Sequence, residues 1–200
     1  MGSLLILLVF LGVIVALALW AMGIYNGLVT SRNAWKNAFA QIDVQLQRRF
    51  DLIPNLVETA KAYMGHERET LEAVVAARSA AQSGLAAAKA HPGDPDAMAQ
   101  LAASQGQLNG VLGRLLAVAE AYPDLKANQN MMQLTEELSS TENRVAFARQ
   151  AYNDSVMAYN NRREVFPSSV VAGMFNFAPA ALLDIPADKA HVRDAPKVQF

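Results

Sequence analysis

From Leu4 to Ile24 every residue is apolar or glycine. Those 21 consecutive positions, at about 1.5 Å each, span roughly 31 Å, the thickness of a bilayer's hydrocarbon core. The segment therefore reads as a transmembrane helix. A cleaved signal peptide carries a basic stretch ahead of a shorter apolar core of about 7 to 15 residues, whereas only Met1, Gly2 and Ser3 precede this one. Trp20 and Tyr25 stand where the helix leaves the bilayer, as amphipathic rings do. Gly23 and Gly27 read either as a small-xxx-small seam that lets two such helices approach or as a chance spacing. No Lys or Arg precedes the segment, and Arg32 and Lys36 follow it closely, with Arg48 and Arg49 beyond. The positive-inside rule then places the N-terminus outside and the body in the cytoplasm, with a periplasmic body as the alternative.

About 175 residues remain for water, enough for one domain with its own core. Hydrophobic residues make up 52% but aromatics only 8%, and much of the excess is alanine in runs such as residues 86–88, a composition that favours helix. Lys+Arg (17) nearly balances Asp+Glu (18), so no basic field exists to neutralise phosphates and nucleic acid is not an expected partner. Cysteine is absent, which excludes disulfides and thiol chemistry.

The expected fold is all-α: the anchor (1–25), an antiparallel four-helix bundle (26–166) and an extended, Pro-punctuated C-terminal arm (167–200). Leu28, Trp35, Phe39, Ile42, Leu46 and Phe50 recur mostly at steps of three and four, the apolar stripe of a helix that runs straight on from the membrane. At Pro54 the pattern admits a break or a kink, because the stripe continues through Ile53, Val57, Ala60 and Met64. A break is expected, since an uninterrupted helix would outrun its partners. A second helix then spans roughly 52–89, and a turn at 90–95 offers Asp94 as a cap and Pro95 as a first helical residue. The third helix, to about Ala121, contains Gly106, Gly110 and Gly113 and is either weak or packed unusually close to a neighbour. Tyr122, Pro123 and Asp124 end it. The fourth carries Leu134, Leu138, Thr141, Val145, Ala148, Tyr152, Val156 and Tyr159, matches the second in length and stops at Phe166-Pro167. The arm, with Met174, Phe175, Phe177, Leu182, Leu183, Ile185 and Phe200, is too apolar for a linker. A short helical turn near 168–173 and then an extended stretch are expected, packed on the bundle or on a neighbouring subunit.

No catalytic, cofactor or metal site is expected. His66-Glu67 lacks the second histidine of a zincin, since position 70 is Thr70, and a di-metal bundle fails at Tyr63. His91 and His191 fall in a turn and the arm and are expected in solvent. Phosphate loops, nucleophile elbows and dinucleotide turns are missing from the sequence. Polar density on the first, second and fourth helices gathers Arg32, Asp43, Arg48, Arg49 and Asp51, then Glu142, Arg144 and Arg149. These read as an exposed charged face, or as a cross-helix network in which Asp43 and Glu142 accept from Arg149 or Arg32.

Two blocks resemble the LemA family. The first runs from Tyr25-Asn26-Gly27-Leu28-Val29 and Arg32-Asn33 through Gln41-Ile42-Asp43-Val44-Gln45-Leu46, Arg48-Arg49, Asp51-Leu52-Ile53-Pro54-Asn55-Leu56-Val57-Glu58-Thr59 and His66-Glu67. The second comprises residues 140–149, Tyr152-Asn153-Asp154, Tyr159-Asn160 and Phe166-Pro167. The resemblance implies a bacterial inner-membrane protein with a helical bundle, no established catalytic residues or cofactor, and loose links to membrane processes, including magnetosome formation in a branch named MamQ. Three functions compete: a membrane-tethered structural protein that forms a homo-oligomer and organises or remodels the lipid bilayer, a module presenting a bundle face to another membrane protein such as a protease or signalling partner, and a hydrolase hidden in the polar network, which is not expected. Candidate interaction residues are those charged side chains, Gly23 and Gly27, and Phe175, Phe177 and Phe200.

Overall fold

The computed structural model describes residues 2–184, and its regular elements there are all helices: α1 (Gly2–Lys61), α2 (Arg68–Ala90), α3 (Pro95–Ala119), α4 (Pro123–Lys126), α5 (Gln129–Glu164) and α6 (Ser168–Met174). The body of α1 runs antiparallel to α5 in a long pair, and the α2–α3 hairpin closes against that pair through α1. The result is an antiparallel four-helix bundle. Leu28, Trp35, Phe39, Ile42, Leu46, Phe50 and Ile53 of α1 are buried, and Leu138, Val145, Tyr152, Val156 and Tyr159 of α5 meet them in one core. Residues 4–20 of α1 stand clear of the bundle, Ile24 already packs against its core, and the helix is long and apolar enough to cross a membrane.

The expected break at Pro54 does not occur. α1 is one helix of 60 residues with Pro54 inside it, about 90 Å long at 1.5 Å per residue. Proline cannot donate to the carbonyl four residues back, so the oxygen of Phe50 loses its helical partner. The Nε of Arg78 on α2 donates to that oxygen at 2.7 Å and replaces the missing bond. The chain turns instead at residues 62–67, where Met64 plugs the end of the core and the Tyr63 hydroxyl receives the Asn128 side-chain amide at 3.0 Å. α2 is therefore 23 residues long rather than spanning 52–89. The 36-residue α5 finds its long partner in α1, not in α2.

At the α2–α3 turn, Asp94 accepts from the Ala97 amide at 2.9 Å and Pro95 opens α3, as the sequence indicates. A Cβ at Gly106, Gly110 or Gly113 of α3 would meet nothing within 4 Å, so these glycines mediate no close packing. The close approach lies at Gly84 of α2, against Ser104 and the Gln100 carbonyl, whose oxygen is 3.4 Å from an added Cβ. α6 occupies the short helical turn expected near 168–173, and beyond it the chain extends along its own bundle, with Phe177, Ala180 and Leu183 buried. Ile185, His191, Phe200 and the distal part of the arm lie outside the described residues.

Candidate functional site: a peptide clamp at the anchor end of the bundle

Residues 178–183 run back along α5, held by the burial of Ala180 and Leu183 and by side chains of α5 that hydrogen-bond to their backbone. Asn160 donates to the Ala180 carbonyl at 2.8 Å and accepts the Ala180 amide at 3.1 Å. Asn153 does the same for Leu183, at 3.2 and 2.9 Å. A carboxamide offers one acceptor and a donor in the arrangement of a peptide group, so each asparagine pairs with the arm as a neighbouring strand does. The spacing follows from geometry. Seven residues of α5 advance about 10.5 Å, and three residues of extended chain advance about 10 Å.

The residue before each asparagine repeats the pattern. The Tyr159 hydroxyl donates to the Ala178 carbonyl at 2.8 Å, and Tyr152 to that of Ala181 at 2.7 Å. Burial raises the pKa of both phenols, with nearby Arg32 and Arg163 opposing the shift at Tyr159. The opposite wall is the α2–α3 turn, where the Gly93 carbonyl accepts the Ala181 amide at 2.8 Å. Gly93 has φ +79°, a conformation that favours glycine, and an added Cβ would stand tightly at 3.0 Å from the Trp35 ring and 3.2 Å from Ala180. Trp35 packs edge-on to Tyr152 at 6.3 Å between centroids and lies 6.2 Å from Tyr159. The arm thereby fastens the α2–α3 turn, α5 and α1 together.

The arm starts beside the membrane exit. Asn176 takes a left-handed turn at φ 52°, and Phe175 and Phe177 stack edge-on against Tyr25 at 4.9 and 5.6 Å. The Arg32 guanidinium lies over the Phe177 ring at 5.0 Å. Gly27 receives Arg162 of α5 against its bare face, while Gly23 is open.

The remaining polar candidates divide by helical face. Asp43, an acceptor for Arg149 or Arg32 in the cross-helix alternative, pairs with Lys89 of α2 at 2.8 Å, a lysine that the sequence reading did not single out. Arg49 is 3% exposed, and desolvation lowers its pKa while the charge of Glu142 opposes that shift. Arg149 is engaged within the molecule. Arg48 and Arg144 line one shallow depression between α1 and α5 with Glu136, Glu137, Ser140 and Thr141. Asp51 is exposed one turn further along α1. Val44 precedes Arg48 by one turn and Phe147 follows Arg144 by one turn, so both fall on this side of the pair, away from the hairpin. They are 57% and 74% exposed. Among the described residues no group of three or more His, Asp or Glu side chains is placed to hold a metal ion.

Sequence reasoning missed the clamp as a site. Its signal was the dipeptide Tyr-Asn repeated seven residues apart on a helix whose stripe already claimed both tyrosines.

Residues 38–200 match the model of the LemA family. The chain is 26% identical over 151 residues to Protein LemA of Metamycoplasma hominis, covering 76% of this chain and 64% of that one. It is 25% identical over 174 residues to Magnetosome protein MamQ 2 of Paramagnetospirillum magneticum, covering 78% and 63%. To Magnetosome protein MamQ of Magnetospirillum gryphiswaldense it is 25% identical over 168 residues, covering 76% and 62%. The chain thus spans a little under two thirds of the length of these relatives. It belongs to the LemA family.

Proposed function

We propose that this member of the LemA family is a non-enzymatic, membrane-anchored structural protein that assembles with copies of itself and thereby organises or remodels the bilayer holding it. The observation that carries this reading is the open face of the α1–α5 pair. Phe147 and Val44 stand in solvent there, with the cations Arg48 and Arg144 one turn away and the anions Asp51, Glu136 and Glu137 beyond them. Exposed apolar residues beside a band of cations and then a band of anions suit a two-fold contact, because each copy can set its cations against the anions of the other. The unbroken α1 supports the second half of the reading. A contact made on the body is transmitted to the membrane segment without an intervening joint. The relatives named as magnetosome proteins agree with a structural role at a membrane.

The compartment we assign is the bacterial inner membrane, with the body in the cytoplasm, on the strength of Arg32 and Lys36 after the apolar segment. Assembly is tested by reconstituting the full chain in lipid nanodiscs and measuring mass against concentration. We expect oligomers that Phe147→Glu reduces to monomers while helicity by circular dichroism is retained. A wild-type chain that stays monomeric at every concentration overturns the proposal. Photocrosslinking from position 147 in cells that captures only a different membrane protein replaces it with the adaptor reading.

A further inference from the structure

A second apolar surface lies at the anchor end of the molecule. Phe166, Val170 and Met174 follow one another at steps of four through α6 and its flank, and all three are exposed, Phe166 by 82%. Val165 and Phe175 extend the patch. The inward side of α6 is already used, since Val171 and Ala172 are buried in the bundle. Phe175 contacts Tyr25, the residue after the apolar segment, so the patch stands at the level where α1 leaves hydrocarbon. Charge around it is biased. Residues 26–40 contribute Arg32 and Lys36, and residues 158–176 contribute Arg162 and Arg163 against Glu164 alone.

We infer that α6 and its flanks are an interfacial foot, whose apolar side rests in the headgroup region of the same bilayer that α1 crosses, with these cations on anionic headgroups. The occupant follows from continuity: the patch adjoins the segment built for lipid, and an apolar stripe rimmed by Arg and Lys is the pattern of elements lying in a membrane surface. Two contacts, a spanning helix and a foot beside it, fix the rotation of the body about the anchor axis, which one helix alone leaves free. This inference rests on the membrane-anchored reading and not on self-assembly.

The absence of cysteine makes the test direct. Single variants Phe166→Cys, Val170→Cys and Met174→Cys carry a polarity-sensitive fluorophore on the full chain in phosphatidylcholine vesicles with and without phosphatidylglycerol. Leu11→Cys reports the anchor, and Ser79→Cys, on the exposed side of α2, reports solvent. The expected result is quenching of the three foot positions by lipid-borne nitroxides at about 5–10 Å depth, stronger with phosphatidylglycerol, while Ser79→Cys is quenched by aqueous iodide. Lipid quenching at Leu11→Cys together with iodide quenching of the foot overturns the inference and leaves the anchor standing. No lipid quenching at Leu11→Cys overturns both.

Discussion

Asn153 and Asn160 sit in the interior of α5, where asparagine is a poor helix former because its side chain competes for backbone groups. Here the side chain reaches outward to another segment's backbone and satisfies it on both sides. Asn160→Ala leaves the Ala180 amide and carbonyl without their partner, a loss of about 1–3 kcal/mol. The loss falls on the arm, because the core beneath α5 is untouched. Hydrogen exchange of residues 178–183 should accelerate, with little change in the thermal midpoint of the bundle; an unaltered exchange rate there refutes the clamp. The tyrosines give the same site a pH dependence. Their folded pKa values lie above the unfolded value near 10, so their contribution is complete below that pH and fades as pH rises through the folded values. Absorbance titration should show Tyr152 and Tyr159 ionising later than an exposed tyrosine, and Asn160→Ala should bring them back toward the ordinary range. Side chains such as Arg48 and Arg49 mark what the sequence reading could resolve. They look equivalent as a dipeptide, yet Arg49 stands three after Leu46 and four before Ile53, on the buried stripe, and the spacing could have separated them.

The stripes of α1 and α5 were legible because burial along a helix imposes its period on the residues that meet the core. Helix lengths were not, because Pro54 was weighed as a local breaker while its remedy came from Arg78 on α2. No local pattern announces a donor 24 positions downstream. The same pairing predicts a coupling. Arg78→Met strips the replacement donor from the Phe50 carbonyl and should cost about 1–3 kcal/mol in the wild-type chain. In a Pro54→Ala background the restored amide bonds that carbonyl itself, so the same substitution should cost distinctly less. Denaturant unfolding of the four chains measures the difference, and equal losses in both backgrounds would mean that Arg78 acts through its packing alone. The clamp was illegible for a related reason: an arm–helix pairing carried by backbone leaves almost no mark on the arm's own sequence.

At the scale of the whole molecule, α1 is both the membrane segment and one wall of the bundle, so the rotational phase between them is set by helix geometry. One residue inserted between Asn26 and Gly27 turns the membrane segment by about 100° relative to the body and shifts it by about 1.5 Å. That rotation carries Tyr25 away from Phe175 and Phe177, and it turns the anchor relative to the open α1–α5 face. Four inserted residues add about 400°, close to one full turn, and nearly restore the phase at the cost of about 6 Å of length. If body contacts steer the membrane through a rigid rod, assemblies reconstituted in lipid should lose their size or shape with the single insertion and regain much of it with four. A flexible tether gives a different series: it is insensitive to phase, and any effect grows steadily with length. Electron microscopy of the vesicles, read beside the alkaline and hydrogen-exchange behaviour of the arm, separates the two, since only the rigid rod makes one residue more disruptive than four.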